Sequence, residues 1–181
     1  MNADDAAAPG LVNVANILTV VRILLVPVFV VCLFAGGTVW RLVALAAFCV
    51  ASLTDLLDGR LARSRGLVTD FGKIADPIAD KALTGAALIS LSALGELAWW
   101  VTALRFVVIR RGVIAASPGG KLKTLLQVIA ICLYVLPESL SPPAAVRGLV
   151  MAAAVVVTVV TGVDYVQQAM RLRRSEPASG G

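Results

Sequence analysis

Two pairs of aspartates stand close together in a chain that is otherwise composed for a lipid environment. Residues 55–80 read DLLDGRLARSRGLVTDFGKIADPIAD, with Asp55 and Asp58 three positions apart and Asp76 and Asp80 four positions apart. On helices, both spacings place the two side chains of a pair on one face, with Cβ atoms about 5–6 Å apart. Carboxylates at membrane depth are expensive to bury and usually mark function. We therefore expect two acidic helix faces, joined by a short connection, to form one site.

The apolar runs predict an all-α, polytopic membrane protein with six transmembrane helices. Hydrophobic residues make up 59% of the chain, which indicates one compact membrane domain instead of a soluble domain with an anchor. We expect a flexible N-terminus over 1–10, the membrane domain over 11–170, and a basic, then flexible tail over 171–181. The helices are predicted over about 17–34, 42–57, 71–94, 97–109, 122–136 and 144–166. The fourth is unusually short, because a span needs about 20 residues.

The distribution of basic residues predicts the orientation in the membrane. With six spans, the connections from Arg60 to Lys73 and from Arg110 to Lys123 share one face with the basic tail. The opposite face keeps few charges, together with tryptophans at the interface: Arg41, Arg147, Glu96, Glu138, Trp40, Trp99 and Trp100. Under the positive-inside rule this asymmetry places both termini in the cytoplasm. The short fourth segment must then cross, since the basic tail would otherwise lie outside.

Four neighbouring carboxylates need protons, basic partners or metal ions. Hard cations such as Mg²⁺ prefer carboxylate oxygen, and two divalent ions would balance four carboxylates in formal charge. Two metals about 3.5–4 Å apart can clamp the attacking and leaving oxygens at a phosphoryl centre. The chain has no histidine, which excludes histidine-based acid–base or zinc chemistry. The three cysteines lie in apolar runs and are interpreted as small buried hydrophobic residues. The residues therefore indicate metal-assisted phosphoryl chemistry at a membrane surface.

The acidic stretch resembles the signature of the CDP-alcohol phosphotransferases, D-x-x-D-G-x-x-A-R, eight residues, then G-x-x-x-D-x-x-x-D. All eight fixed positions are filled, by Asp55, Asp58, Gly59, Ala62, Arg63, Gly72, Asp76 and Asp80. Eight fixed residues over this span are far more specific than a lone glycine loop. The segments NILTVVRILLVPVFV and GGKLKTLLQ are further similar to the phosphatidylglycerophosphate synthase branch of the family, especially its actinobacterial versions.

The resemblance implies transfer of a phosphatidyl group from CDP-diacylglycerol to sn-glycerol 3-phosphate, with release of CMP. It implies two Mg²⁺ or Mn²⁺ ions held mainly by Asp55, Asp58 and Asp76, and Asp80 as the base that also touches the second metal. Positions that match contacts to the CDP moiety are Asn16, Thr19, Gly59, Arg63 and Thr69. The family is commonly homodimeric. The site is expected at the cytoplasmic face of the cell membrane, in contact with membrane lipids, and no nucleic-acid partner is expected.

Several alternatives stay open at the level of sequence. The basic residues Arg110, Arg111, Lys121 and Lys123 are interpreted either as topology signals or as a pocket for the acceptor phosphate. Arg22 either reaches up to the headgroups or contacts a phosphate near the acidic cluster. About a dozen residues of the family pattern are missing after Thr102, including an Arg-Glu pair thought to help bind the acceptor.

Four other functions compete with the favoured one. Within the family, a different acceptor would make the protein a cardiolipin synthase or a phosphatidylinositol phosphate synthase. The shortened fourth segment allows an inactive relative that acts as a membrane binding partner. An ion transporter explains the buried acids, but not the interleaved Gly59, Ala62, Arg63 and Gly72.

Overall fold

The computed structural model describes residues 14–65, 70–111 and 119–175, with side chains described over 17–54, 78–107 and 124–163. Throughout this part of the chain, every regular element is helical, so the all-α prediction is confirmed. The elements are α1 (Val14–Ala35), α2 (Gly37–Arg65), α3 (Asp70–Ala93), α4 (Trp99–Arg111), α5 (Gly119–Val135) and α6 (Ala144–Ser175), with a 3₁₀ turn at Glu138–Leu140.

Three of these helices contain segments long and apolar enough to cross a membrane, namely Ile17–Ala35, Gly37–Thr54 and Ala144–Val163. A shorter apolar helix covers Thr124–Val135. The remaining two helices differ in kind, because α3 has aspartates and lysines in its first half and α4 has only 13 residues. The chain is therefore a helical membrane protein, and the count of six spans stays a prediction.

Two helices run further than the sequence pattern predicted. The second was expected to end near Leu57, before a basic loop, but α2 continues through Gly59 to Arg65. The loop prediction for Arg60, Arg63 and Arg65 was therefore wrong. Leucine, alanine and arginine are good helix formers, and one interior glycine costs only about 1 kcal/mol against them. The same propensity carries α6 past its predicted end near Val166 as far as Ser175.

A polar cluster fixes one end of the helix bundle. Arg41, near the start of α2, forms an ion pair with Glu96, which follows α3. The Arg41 Nη1 also donates a hydrogen bond of 3.3 Å to the carbonyl oxygen of Leu136, just after α5. Arg147 of α6 lies over the Tyr134 ring of α5, 5.5 Å from its centroid. These contacts place the start of α2, the ends of α3 and α5 and the start of α6 together, at what we call the Arg41 end.

The tryptophans and two glycines belong to the same Arg41 end. Trp40, Trp99 and Trp100 are more than half exposed, as expected for an aromatic belt at a membrane interface. Gly36 and Gly37 have φ values of 70° and 76°, which residues with a side chain rarely adopt, and they turn α1 directly into α2. Consequently α2 leads away from the Arg41 end and α3 returns to it, so the two helices are antiparallel.

Small and aromatic side chains pack the helices against one another. Along α2, Ala44, Ala47 and Ala51 are buried at helical spacing, which permits close approach of a neighbouring helix. The rings of Phe29 and Phe48 meet between α1 and α2, with centroids 5.6 Å apart. Helix α1 packs on both α2 and α3, while α5 and α4 pack on α6.

The sequence predicted three buried cysteines, but Cys49 and Cys132 are only half-buried. All three are free thiols, and Cys32 is buried in the core. The Sγ atoms of Cys49 on α2 and Cys132 on α5 are 3.8 Å apart. This contact joins two helices whose residues are 83 positions apart in sequence.

The Cys49–Cys132 contact predicts the product of mild oxidation. Copper–phenanthroline treatment of membranes should link these two thiols within one chain, because a disulfide needs the sulfurs only about 2 Å closer. Mass spectrometry of non-reduced digests should find the Cys49–Cys132 peptide pair and leave Cys32 unlinked. Cys132→Ser should abolish the product. A linkage of Cys49 to Cys32 would contradict the packing of α2 against α5.

Candidate active site

Both predicted pairs of aspartates lie in the halves of two antiparallel helices that are farther from the Arg41 end. Asp55 and Asp58 precede the last residue of α2 by ten and seven positions, or about 15 and 10 Å along the axis. Asp76 and Asp80 follow the first residue of α3 by six and ten positions, or about 9 and 15 Å. Because α2 and α3 are also in contact, the two pairs lie on the same side of the bundle.

Of these four side chains, the structure describes one. The Asp80 carboxylate is half-buried on α3. The side chains of Asp55, Asp58 and Asp76 lie outside the described residues. Accordingly, the described side chains contain no group of three or more histidine, cysteine, aspartate or glutamate residues placed to hold a metal. Backbone depth thus agrees with one shared acidic site, and the metal cage itself stays a prediction.

Helix α1 buries two polar side chains in the bundle, Thr19 and Arg22. Asn16, Thr19 and Arg22 follow one another at intervals of three, and Thr19 and Arg22 are both fully buried. Full burial of Arg22 excludes the interpretation that it reaches out to the headgroups. Counted from the Arg41 end, Arg22 precedes the end of α1 by 13 residues and Asp80 precedes the end of α3 by 13. Both therefore lie about 20 Å from that end. An arginine buried inside a membrane domain is normally paired with charge or with carbonyl groups.

The other predicted contacts fall near the helix ends opposite the Arg41 end. Gly59 and Arg63 lie on the last turns of α2, where their surroundings are not described, and Thr69 lies outside the described residues. The basic residues predicted to bind the acceptor occupy the end of α4 and the start of α5: Arg110, Arg111, Lys121 and Lys123. Helix α5 ends at the Arg41 end, so Lys121 and Lys123, near its start, lie towards the opposite end. They are therefore on the same side of the bundle as the aspartates.

Sequence reasoning gave no role to Arg105, which the structure joins to α6. The Nη1 atom of Arg105 donates a hydrogen bond of 3.3 Å to the Thr158 hydroxyl of α6. The signal in the sequence was a single arginine in the otherwise apolar run VTALRFVVI.

Hydrogen bonds near the start of α4 fix this helix against α3. The Thr102 hydroxyl lies 2.8 Å from the Ser92 hydroxyl and donates a hydrogen bond of 3.3 Å to the carbonyl oxygen of Leu88. One turn further along, the Phe106 ring lies 3.3 Å from the position that a Cβ atom on Gly85 would occupy. These contacts set the register that turns Arg105 into the bundle.

Comparison with known proteins agrees with this arrangement. The sequence model of the family described as CDP-alcohol phosphatidyltransferase matches residues 12–160. A protein of Mycobacterium tuberculosis named "Probable phosphatidylglycerophosphate synthase" is 54% identical over 180 residues, covering 92% of this chain and 86% of that protein. Proteins of Bacillus subtilis and Rickettsia bellii named "CDP-diacylglycerol--glycerol-3-phosphate 3-phosphatidyltransferase" are 38% and 33% identical, each covering 84% of this chain and 93% of the relative.

The mycobacterial comparison also bears on the missing stretch. The alignment has 180 positions and includes 92% of this 181-residue chain, or about 167 residues. About 13 positions of the mycobacterial protein therefore have no counterpart in this chain. That number is close to the predicted dozen, and the location of the gap after Thr102 stays a prediction.

The family match begins at residue 12, before α1, and continues to residue 160 in α6. It therefore includes both aspartate pairs and the helices that set their depth. This protein belongs to the CDP-alcohol phosphatidyltransferase family of membrane enzymes.

Proposed function

We propose that the protein transfers the phosphatidyl group of CDP-diacylglycerol to sn-glycerol 3-phosphate, giving phosphatidylglycerophosphate and CMP in a metal-dependent reaction. The observation that carries this proposal is the position of both aspartate pairs, in the halves of the contacting helices α2 and α3 that are farther from the Arg41 end. The choice of acceptor is supported by the printed names of the mycobacterial, Bacillus and Rickettsia relatives.

The proposed site opens to the cytoplasm, and six helices span the membrane with both termini on that side. The support for this orientation is the charge distribution: basic residues at the ends of α2 and α6 and around the α4–α5 connection, with tryptophans at the Arg41 end. The lipid tails of the donor can then remain in the bilayer while its headgroup enters at the helix ends. The homodimer implied by the family resemblance stays a prediction.

The donor set suits hard divalent cations. Asp55, Asp58, Asp76 and Asp80 offer carboxylate oxygens alone, which are the ligands that Mg²⁺ and Mn²⁺ prefer. These four residues would hold two ions. When bound, the ions would neutralise the pyrophosphate and stabilise the charge that develops on the leaving CMP.

The protein's own residues account for the proton and for substrate orientation. Asp80 accepts the proton of the acceptor hydroxyl. The oxygen of that hydroxyl bonds to the phosphorus that carries the lipid, while the bond from this phosphorus to the CMP oxygen breaks. The proton then passes from Asp80 to water. Arg63 contacts the pyrophosphate, and Gly59 leaves room for the cytidine. Asn16, Thr19 and Thr69 complete the contacts to the CDP moiety.

The acceptor pocket is assigned to the basic residues at the end of α4 and the start of α5: Arg110, Arg111, Lys121 and Lys123. A water-soluble phosphate ester approaching from the cytoplasm would meet their positive charge before it reached the aspartates. The support is their shared position on the side of the bundle away from the Arg41 end.

One observation favours a second candidate, an inactive relative that acts as a membrane binding partner. Helix α4 has 13 residues, and the mycobacterial comparison leaves about 13 positions without a counterpart. Purified protein supplied with Mg²⁺ or Mn²⁺, radiolabelled CDP-diacylglycerol and one alcohol at a time separates the possibilities. Release of CMP with glycerol 3-phosphate supports the proposal. Release only with phosphatidylglycerol or inositol phosphate would reassign the acceptor, and no release with any alcohol would favour the binding partner.

Asp80→Asn should abolish phosphatidyl transfer while leaving metal-dependent binding of CDP-diacylglycerol partly intact. The amide is nearly the same size but cannot take the acceptor proton, and loss of one general base typically lowers a rate about 10²- to 10⁴-fold. CMP release and equilibrium binding of labelled CDP-diacylglycerol measure the two effects. Equal loss of binding and turnover would mean that Asp80 serves chiefly as a metal ligand.

The double variant Arg110→Ala, Lys121→Ala should raise the KM for glycerol 3-phosphate more than the KM for CDP-diacylglycerol. Each lost cation removes an attraction for the acceptor phosphate that exists before and during the reaction. Steady-state kinetics with each substrate varied in turn measures the two constants. Arg147→Gln, which removes a positive charge at the Arg41 end, is the matched control and should change neither. An unchanged acceptor KM in the double variant would remove both residues from the pocket.

A further inference from the structure

A small cavity, open on one side, lies between helices α3, α4, α5 and α6. Its volume is about 30 Å³. A water molecule needs roughly 10–15 Å³ of such space, so the enclosed part has room for about two oxygen atoms. Most of the lining is apolar, but three polar side chains from three different helices also face the cavity: Arg105 of α4, Gln127 of α5 and Thr158 of α6.

Two buried hydrogen-bond donors at this cavity have no partner within the described part of the chain. They are the Nε atom of Arg105 and the Nε2 atom of Gln127, a residue that is only 7% exposed. The Nη1 atom of Arg105 donates a hydrogen bond of 3.3 Å to the Thr158 hydroxyl, which fixes the guanidinium at the cavity. Because buried donors in native structures are almost always paired, an occupant must accept hydrogen bonds from both side chains.

A phosphate group meets these requirements better than a neutral ligand does. Its oxygens accept several hydrogen bonds, and a guanidinium can bind two of them at once through parallel N–H groups. The described side chains that line the cavity include no carboxylate, so none of them repels an anion. Two phosphate oxygens fill the enclosed volume, and the rest of a phosphate ester can extend through the open side.

The helices around the cavity indicate which phosphate it takes. Its described lining residues all lie on α3–α6, whereas the proposed contacts to the CDP moiety lie mainly on α1 and α2. Gln127 follows Lys123 by four residues, which places the two on one face of α5. Arg105 precedes Arg110 on α4 by five residues, or about 7.5 Å. The cavity therefore lies next to the basic residues proposed for the acceptor and apart from the donor contacts.

We propose that Arg105 and Gln127 bind the phosphate group of glycerol 3-phosphate, with Thr158 orienting Arg105. This inference rests on the acceptor named in the proposed function, and it adds the residues that select an alcohol carrying a phosphate. The basic residues at the end of α4 and the start of α5 attract the substrate, and the fixed donors then recognise it. An alcohol without a phosphate would leave these buried donors unpaired, which disfavours its binding.

The decisive variants remove the charge, the second donor or the support of the guanidinium. Arg105→Gln removes the charge, and Arg105→Lys keeps it without the planar fork. Gln127→Met and Thr158→Val remove one polar group each and leave a side chain of similar shape. The matched control is Thr161→Val on α6, because the Thr161 hydroxyl donates only to carbonyl groups of its own helix, at 2.7 and 3.1 Å.

Steady-state CMP release gives the first readout. Arg105→Gln should raise the KM for glycerol 3-phosphate about 10- to 100-fold, the effect of losing a charged hydrogen-bond donor. Arg105→Lys should recover part of this loss, and Gln127→Met and Thr158→Val should raise the same KM about 3- to 10-fold. The KM for CDP-diacylglycerol should stay within about twofold in all four variants. Thr161→Val should match the unaltered protein.

Inorganic phosphate gives a second readout that needs no turnover. Radiolabelled phosphate should bind the purified, unaltered protein at equilibrium without CDP-diacylglycerol. Glycerol 3-phosphate should displace the label, whereas glycerol, which lacks the phosphate, should not. Arg105→Gln should weaken phosphate binding by about the factor by which it raises the acceptor KM, and Thr161→Val should not weaken it. The thermal unfolding of every variant is recorded alongside.

Three results would overturn the assignment. An unchanged acceptor KM and unchanged phosphate binding in Arg105→Gln would mean that no phosphate occupies the cavity. A rise in the KM for CDP-diacylglycerol that equals or exceeds the rise for the acceptor would make this a donor site. If Arg105→Gln fails to fold, Gln127→Met decides, because it keeps the cation: a folded Gln127→Met with an unchanged acceptor KM would contradict the proposal.

The two readouts separate this inference from the proposed function. If no alcohol supports CMP release but phosphate binding depends on Arg105, the phosphate site stands and the proposed reaction fails. If glycerol 3-phosphate supports CMP release and the Arg105 variants bind it normally, only the phosphate site fails. If CMP is released only with phosphatidylglycerol, the proposed acceptor is wrong, and the effect of Arg105→Gln on phosphate binding still decides whether the site exists.

Discussion

The ion pair between Arg41 and Glu96 fixes the arrangement on which the acidic site depends. Through the hydrogen bond from Arg41 to the Leu136 carbonyl, one guanidinium ties together the start of α2 and the ends of α3 and α5. With those ends joined, α2 and α3 must run in opposite directions, and residues equally far along them come level. The four aspartates therefore lie on one side of the bundle, in the halves of α2 and α3 that are farther from Arg41. Contacts at the Arg41 end thus align the two helices that carry the site at their other ends.

Two arginines lie inside the helix bundle, and their surroundings differ. Arg22 on α1 lies at the depth of Asp80 and is fully enclosed, because α1 packs on both α2 and α3. Arg105 on α4 is held by its hydrogen bond to Thr158 of α6. Removing several carboxylates from water is unfavourable unless positive charge lies nearby. Arg22, level with Asp80, brings positive charge to that depth of the bundle.

The sequence predicted those parts of the molecule that depend on local pattern. Helical spacing within each aspartate pair, the apolar runs and the acidic signature led to the helices and to the family. What the sequence missed depends on tertiary packing or on competing propensities. Arg105 looked like one more residue of a short apolar run, and only the folded chain shows its contact with Thr158, 53 positions away. Likewise, Gly59 suggested a helix end, but the leucine, alanine and arginine around it carry α2 on to Arg65.

The short fourth helix changes where positive charge can lie. From Trp99 to Arg111 it advances about 18 Å, well short of the roughly 30 Å of a bilayer core. Thr102 is bonded to Ser92 and Leu88, so α4 begins level with the end of α3. Its last residues, Arg110 and Arg111, therefore come to about the depth of Asp80, 20 Å from the Arg41 end. A helix long enough to cross that core in the same register would carry its final arginines about 10 Å beyond Asp80. The shortness of α4 thus brings its basic end to the depth of Asp80.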